Sequence, residues 1–223
     1  MAHELELAAA RGFIAPALRA DFPTLRLDWL TVAGGLRASS PELGRRLAQL
    51  SNRYRGASVV AMRTLPIPHA YRAFFRQIGL DPDVTRIPSE QAAVDRLLRG
   101  GFRSHHLVAD ALLVALLETG VPVWALDADR VGPGGLGIRA SLAGDRLGSA
   151  PVASELAPGR LVIADPSRVH ALLFGEVAPG HEVSSRTTRI ALFAVAVDGV
   201  PSIHVEEALW ACLEALGETQ HRW

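Results

Sequence analysis

Lysine is absent from this sequence of 223 residues, and cysteine occurs only once. A single cysteine excludes an internal disulfide and any cysteine-rich metal site. Cys212 lies in the segment VEEALWACLEALGE, whose apolar residues have helical spacing, so we expect a core residue rather than a nucleophile. Because lysine is absent, all 23 basic residues are arginine, which is a better bidentate ligand of phosphate and carboxylate groups than lysine.

Long hydrophobic runs are also missing. The longest strongly apolar stretch, residues 107–117, is too short to span a bilayer and contains Asp110. The first residues, MAHELELAAARGF, lack the basic and apolar regions of a signal peptide. We therefore expect a cytoplasmic protein that does not contact membranes.

Net charge is zero as well, with 23 basic and 23 acidic residues, but the two signs are unevenly distributed. Residues 1–103 hold 15 arginines and 9 acids, whereas residues 104–223 hold 8 arginines and 14 acids. Such an asymmetry is typical of a chain whose first part meets an anionic partner. Two ordinary solvated surfaces would give the same counts, and both interpretations stay open.

The periodicity of apolar residues predicts a mixture of helices and strands. We expect helices over residues 4–20, 39–54, 67–82, 88–101, 107–117 and 203–217, with Ser40 and Ser89 as helix caps, and strands over 25–35, 57–62, 121–126, 136–142, 160–165, 168–174 and 190–197. The predicted fold class is α+β (mixed α/β), in one domain over 1–223. Its parts are a helix-rich basic segment over 1–102, a sheet-rich core over 103–200 and a closing helix over 203–217.

Common catalytic motifs are missing too. GPGGLG (132–137) fits G-x-G-x-x-G, but a strand-like segment follows it, so we interpret it as a hairpin loop. The histidines at 105, 106, 170, 181 and 204 have no spacing typical of metal ligands. We therefore expect neither a metal nor a cofactor.

Asp110 is unusual because it interrupts the apolar segment 107–117. A carboxylate buried there must be paired or hydrogen-bonded, because an uncompensated buried charge is too costly. Arg103 or Arg86 is the partner we expect. Asp127 and Asp129, in LDADR, are expected to bond local amides in a turn after a strand.

Two blocks of the sequence resemble a known family. RSHHLVADALLVALLETGVPVWALDADRV (103–131) is similar to the stretch of the bacterial phenylalanyl-tRNA synthetase β subunit that runs R-P-I-N-N-V-V-D, an apolar helix, then L-G-Q-P-M-H-A-F-D-x-D. LVIADPSRVHALLFGEV (161–177) and HEVSSRTTRIALFAVA (181–196) resemble L-V-I-A-D…A-L-A-G-V and S-E-V-T-x-D-T-x-x-I-L-L-E. This is the B3/B4 editing domain of the synthetase, and the first hundred residues resemble freestanding B3/4 proteins instead.

The resemblance implies a B3/B4 fold and an editing activity. In the synthetase this domain removes tyrosine wrongly attached to tRNA, by attack of a water on the aminoacyl ester. A standalone copy is then expected to be an aminoacyl-tRNA deacylase that acts in trans on mischarged tRNA, with no obligate protein partner. The alternative is a noncatalytic module that binds a ligand or tRNA and keeps the fold.

Site residues follow from the same resemblance. His106 and Glu182 are the catalytic candidates, since His106 stands at a family Asn position and Glu182 at the Glu of S-E-V. Ser104, Asp110 and Trp124 are the substrate-binding candidates, and we expect His106, Trp124 and Glu182 to line one cavity. Trp124 replaces the pocket histidine of P-M-H-A-F-D, so tyrosine specificity does not carry over. The basic first half supplies the RNA-binding candidates Arg72, Arg76, Arg86, Arg96 and Arg99.

Overall fold

The computed structural model describes residues 9–54, 56–148 and 153–217. It has helices over Pro16–Asp21 (α1), Pro41–Ser51 (α2), Gly56–Met62 (α3), Pro66–Gln77 (α4), Pro88–Arg99 (α5), Leu107–Thr119 (α6) and Ser202–Gly217 (α7). Its strands are Ala10–Arg11 (β1), Phe13–Ile14 (β2), Arg26–Ala33 (β3), Val123–Asp127 (β4), Gly137–Ala140 (β5), Arg146–Leu147 (β6), Ser154–Glu155 (β7), Leu161–Ala164 (β8), Val169–Leu172 (β9) and Arg189–Ala196 (β10).

An antiparallel sheet in the order β1-β3-β10-β4 forms the centre of the fold. β10 is the middle strand, and along it Phe193 lies opposite both Trp29 of β3 and Trp124 of β4. Directly opposed residues of neighbouring strands share one face of a sheet, so these three aromatic side chains lie on the same face. Nearly all of β10 is buried, which matches its continuous apolar sequence.

A second, mixed sheet has the order β2-β5-β8-β9-β6-β7. β1 belongs to the first sheet and β2 to the second, and Gly12 lies between them. A Cβ at Gly12 would stand 2.5 Å from both the Leu136 carbonyl oxygen and the Leu27 side chain. Glycine is therefore required here because the backbones of the two sheets approach each other closely.

Helices α6 and α7 pack together on the other face of the first sheet. α6 is apolar on all sides, and most of its residues are buried, as the sequence predicted. Each fully buried Leu or Val contributes about 1.5–3 kcal/mol relative to exposure, so α6 is a main source of core stability. Arg46 of α2 donates to Glu118 of α6 at 2.8 Å and to Glu214 of α7 at 3.2 Å, and so connects three helices.

The ends of two helices are set by a serine cap and by a glycine. Ser40 caps α2 by accepting a hydrogen bond from the Leu43 amide at 3.1 Å, as predicted. α6 ends at Gly120, whose φ of 76° is the left-handed conformation that favours glycine. Cys212 is fully buried in α7, and burial raises the pKa of its thiol to about 12, so its prediction as a core residue is confirmed.

Three local predictions were wrong. The helix predicted over residues 4–20 is limited to Pro16–Asp21, because residues 10–11 and 13–14 pair as strands; residues 4–8 lie outside the described residues. The strand predicted over 57–62 is helix α3, since a short apolar run fits either period. Ser89 is not a cap, because Ile87 precedes Pro88 at the start of α5. The α+β fold class itself is confirmed.

Candidate functional site

A buried carboxylate lies at the N-terminal end of α6. Asp110 is 1 % exposed and accepts hydrogen bonds from the Ser39 hydroxyl at 2.5 Å, from the Ser104 hydroxyl, and from the His105 amide at 2.9 Å. The arginine partner that we expected is therefore wrong. Hydroxyl and amide donors at a helix N-terminus satisfy the carboxylate without a second charge, and the helix dipole adds to that stabilisation.

His106 caps the same helix. Its Nδ1 atom accepts a hydrogen bond from the Ala109 amide at 3.2 Å. A neutral imidazole carries one proton, so a lone pair at Nδ1 places the proton on Nε2. His106 therefore presents an N–H donor, rather than a basic nitrogen, from a half-buried position at the start of α6.

Trp124 belongs to an aromatic cluster on the other side of the sheet. Its ring stacks on Phe193, with ring centroids 5.7 Å apart and an interplanar angle of 12°, and contacts Phe174 at 5.6 Å. Phe174 also contacts Tyr71, Phe74 and Phe75 of α4. Trp124 is half-buried, so part of its ring is available as an apolar wall.

Glu182 lies in the loop that leads to β10. It is exposed, and its carboxylate accepts a hydrogen bond from the Gly180 amide at 2.7 Å. The adjacent carbonyl of His181 accepts from the Asp127 amide at 2.9 Å, at the end of β4. Asp127 accepts further hydrogen bonds from the Asp129 amide at 3.1 Å and the Thr187 hydroxyl at 2.8 Å, which confirms the local turn predicted for this segment.

The start of α6 and the loop before β10 meet at one end of the first sheet. Leu107 and Ile190 line the same apolar cavity, of about 390 Å3, and Ile190 is paired with Asp127. Ser104, His106 and Asp110 adjoin Leu107 at the start of α6, and Glu182 lies in the loop that leads to Ile190. The Trp124 ring points to the opposite face from Ile190, and within the described ranges no hydrogen bond or ring contact joins Trp124, His106 and Glu182.

A buried hydrogen-bonded chain of Asp165, His170 and His181 lies beside this end of the sheet. The Asp165 carboxylate is 2.9 Å from His170 Nε2, and His170 Nδ1 is 3.0 Å from His181 Nδ1. Asp165 and His170 are 0 % exposed and His181 is 2 % exposed. Gly132, in the glycine-rich loop 132–135, donates its amide to Asp165 at 2.9 Å, so that loop supports the chain rather than a nucleotide.

The charge states of Asp165, His170 and His181 follow from their surroundings. Burial acts to raise the pKa of Asp165, but hydrogen bonds from Ser167, Gly132 and His170 outweigh burial and hold it well below its usual range. Burial lowers the pKa of His170 in spite of Asp165. Burial also lowers the pKa of His181, helped by the positive charge that His170 carries when protonated and by nearby arginine side chains. Near neutral pH the chain thus holds one anion and two neutral imidazoles.

A family model described as the B3/4 domain matches residues 70–205, more than half of the sequence. The chain belongs to the B3/4 domain family. The matched range includes α6, β4, β10 and the buried residues Asp165, His170 and His181, whereas Ser39, a donor to Asp110, precedes it.

Relatives of this B3/4 chain include phenylalanine–tRNA ligase β subunits of three bacteria. The Gloeobacter violaceus protein is 35 % identical over 105 residues, which cover 47 % of this chain and 13 % of the relative. Those of Cutibacterium acnes and Anaeromyxobacter dehalogenans are 35 % and 36 % identical over 106 residues, again 47 % of this chain and 12 % and 13 % of theirs. The chain therefore corresponds to about an eighth of the length of the curated relatives it matches.

The predicted RNA-binding arginines of the B3/4 chain differ in availability. Arg72 is 6 % exposed, and its guanidinium donates to Glu90 at 2.9 Å and Asp83 at 2.7 Å, so we withdraw it as a phosphate ligand. Arg96 is half-buried and donates to the Ser51 carbonyl at 3.0 Å. The other three candidates, Arg76, Arg86 and Arg99, are exposed.

Sequence reasoning missed the chain of Asp165, His170 and His181 as a unit. The signal was a histidine inside an apolar strand, RVHALLF, since a polar side chain there needs a buried partner. Among residues 9–54, 56–148 and 153–217, no group of three His, Cys, Asp or Glu side chains is arranged to hold a metal ion. Nor does that part of the B3/4 chain contain a helix long and apolar enough to cross a membrane.

Proposed function

We propose that this B3/4 chain is a trans-acting aminoacyl-tRNA deacylase, which hydrolyses the ester bond of mischarged tRNA. The observation that carries the proposal is the family match over residues 70–205, which includes the α6 terminus and the loop of Glu182. The names of the relatives, all phenylalanine–tRNA ligase β subunits, support a substrate related to tRNA. The resemblance described above supports ester hydrolysis in particular.

The reaction requires little covalent chemistry from the protein. A water oxygen attacks the carbonyl carbon of the aminoacyl ester, the bond from that carbon to the ribose oxygen breaks, and the ribose oxygen regains a proton. The products are a free amino acid and a tRNA with an intact terminal hydroxyl. Because the ester is already activated, positioning of the water and polarisation of the carbonyl supply much of the rate.

His106 fits the polarising role. Its Nδ1 atom is occupied by the Ala109 amide, so its Nε2–H group is the part available to a substrate. We assign that N–H to the developing negative charge on the carbonyl oxygen, in place of the role of base that the sequence suggested. The neighbouring carboxylate of Asp110 holds the Ser104 hydroxyl and the His105 backbone amide, and so fixes the entry to α6.

Glu182 and Trp124 fit recognition of the amino acid. The exposed carboxylate of Glu182 is free to accept a hydrogen bond from the substrate ammonium group while it retains the Gly180 amide. The Trp124 ring lies on the opposite face of the sheet from α6, and we propose that it limits side-chain size where the substrate passes the edge strand β4. Hydrophobic contacts discriminate by about 1–3 kcal/mol per methylene. Trp124 cannot accept a proton, unlike the family histidine that it replaces.

The decisive experiment is a deacylation screen of the purified protein over many correctly and incorrectly charged tRNAs. His106→Ala should lower the rate by about 10²–10³-fold, the usual cost of one lost oxyanion donor. His106→Asn is the matched variant, because an asparagine side chain also caps a helix and offers an N–H donor. His105→Ala is the control, since His105 contributes its backbone amide and an exposed ring.

The residue at position 124 favours one alternative function. A B3/4 chain without the pocket histidine could bind aminoacyl-tRNA or another ligand without hydrolysing it. Retained binding of tRNA together with no hydrolysis of any charged tRNA would favour this second candidate. Equal hydrolysis rates for wild type and His106→Ala would instead place the active site elsewhere.

Contact with tRNA is proposed for the exposed arginines of the first half. Each phosphate contact releases condensed counterions, so binding should weaken steeply with salt. Charge reversal of Arg76, Arg86 and Arg99 together should weaken tRNA binding and reduce its salt dependence. Arg160→Glu, an exposed arginine outside the basic half, is the control. Unchanged binding in the triple variant would mean that the charge asymmetry is only a solvated surface.

A further inference from the structure

The hydrogen bonds of the buried chain determine where its protons are. The Asp165 carboxylate is ionised and can only accept, so His170 Nε2, 2.9 Å away, carries a proton. A neutral His170 then has a bare Nδ1, and the 3.0 Å contact between the two Nδ1 atoms requires that His181 donate. The proton of neutral His181 is therefore on Nδ1, and its Nε2 carries a lone pair.

Among the described residues, His181 Nε2 has no hydrogen-bond partner, unlike the other imidazole nitrogens of His170 and His181. Among the described residues, the side-chain polar atoms that are sealed from solvent without a hydrogen bond are Arg26 Nε, Arg26 Nη2 and Ser89 Oγ. His181 Nε2 makes no hydrogen bond to the described residues and is not one of these atoms, so it retains contact with solvent. The rest of the ring is buried.

The position of His181 relates it to the proposed site. It precedes Glu182 directly, and its carbonyl is bonded to the Asp127 amide at the end of β4. Trp124, which stands where the family has its pocket histidine, lies three residues earlier on that strand. The protein thus has an imidazole on the neighbouring loop although it lacks one on β4.

Resting on the proposed deacylation, we infer that His181 is the general base of this site and that Asp165 and His170 are its positioning residues. His181 Nε2 removes a proton from the attacking water as the new C–O bond forms. The bond to the ribose oxygen then breaks, and the imidazolium returns its proton to that oxygen. The Asp165 carboxylate, through His170, holds the His181 proton on Nδ1 and stabilises the transient positive charge.

The charges that face His181 set its pH dependence. His170, Arg168 and Arg130 disfavour its protonation, whereas Glu182 favours it. A base that stays neutral at neutral pH is active there and is lost on acidification. The rate should therefore fall at low pH as His181 becomes protonated, and Asp165→Asn should move that acid limb to lower pH, because the carboxylate supports the imidazolium.

The first experiment needs no substrate. Nitrogen-15 NMR of labelled histidines near neutral pH should find the proton of His170 on Nε2 and that of His181 on Nδ1. His170→Phe fills the same space but removes the acceptor of the His181 proton, so the His181 signal should change. A His181 protonated on Nε2 in the wild type would overturn the inference.

The second experiment measures catalysis. His181→Asn retains a donor toward His170 but has no Nε2 lone pair, and it should lower kcat by about 10²–10⁴-fold with unchanged tRNA binding and melting temperature. His204→Asn is the control, because His204 pairs with Glu207 on α7 at 2.8 Å. A wild-type kcat in His181→Asn would overturn the assignment of His181 as the general base and leave the deacylase proposal intact. A wild type that hydrolyses no charged tRNA would overturn both.

Discussion

Phe174 has a backbone conformation that is unusual for its residue type. Its φ is 57°, and it is the residue other than glycine with positive φ in the described part of the chain. Its ring lies 5.4–5.8 Å from the rings of Tyr71, Phe74, Phe75 and Trp124. The ring contacts of Phe174 therefore raise the stability of the protein, whereas the strained backbone of the same residue lowers it.

Substitution of Phe174 separates these contributions. Phe174→Ala removes the ring and should lower the free energy of unfolding by about 3 kcal/mol, the lower end of the range for a large core aromatic, since Phe174 is only half-buried. Phe174→Gly removes the same ring but also relieves a left-handed strain of about 1–2 kcal/mol, which exceeds the usual cost of glycine. The glycine variant should therefore be more stable than the alanine variant, although glycine is normally worse by roughly 0.5–1 kcal/mol.

Urea unfolding of wild type and both variants measures these differences. Leu173→Ala and Leu173→Gly form the control pair, because Leu173 is buried without a positive φ, and there the glycine variant should be the less stable. An alanine variant that is more stable than the glycine variant at position 174 would refute the strain argument. An alanine variant within about 0.5 kcal/mol of wild type, the usual scatter of surface substitutions, would refute the stabilising role of the cluster.

The remaining predictions concern the site. Asp110→Ala strips three donors of their acceptor, but Ser104 and His105 are exposed and can bond to water instead. The loss of stability should therefore be about 1–3 kcal/mol, the cost of one orphaned group, and an unchanged melting temperature would contradict this. The pKa values of His170 and His181 are lower in the folded protein, so the unfolded protein binds protons first as the pH falls. Stability that is present above about pH 6.5 should therefore be lost below it. The free energy of unfolding should fall by up to about 1.4 kcal/mol per pH unit for each histidine. Unfolding measured from pH 7.5 to 5.5 should give a smaller slope in His181→Asn, and equal slopes would oppose the assignment. Trp124→Ala should widen the set of amino acids removed from tRNA, and an unchanged set in the deacylation screen would exclude Trp124 from the pocket wall.

Local signals in the sequence predicted the elements that they control. The Ser40 cap and the apolar segment of α6 each specify a helix without help from distant residues. The segment at residues 10–14 failed because its conformation depends on pairing, with Ala10 opposite Trp29 and Phe13 opposite Gly137. Tertiary contacts of this kind override local helix propensity.

The candidate site also had features that the sequence predicted and features that depend on the fold. That Asp110 would be buried and bonded followed from its apolar surroundings, but its donors did not, because Ser39 is 71 residues away in sequence. The bond between His170 and His181 depends on the turn after β9 and the loop before β10. A histidine in an apolar strand indicates that a partner exists, and only the fold identifies it.

The central strand of the first sheet also constrains how this protein can be made. β10 ends at Ala196 and pairs on one side with β3, which begins at Arg26, so the sheet joins segments that are far apart in sequence. Pairing across such long sequence separations slows folding. During synthesis β3 cannot pair with β10 until β10 has also left the ribosome, and its apolar face stays uncovered until then. For expression of truncated forms this means that a fragment starting after β3 leaves one hydrogen-bonding edge of the apolar strand β10 open to aggregation.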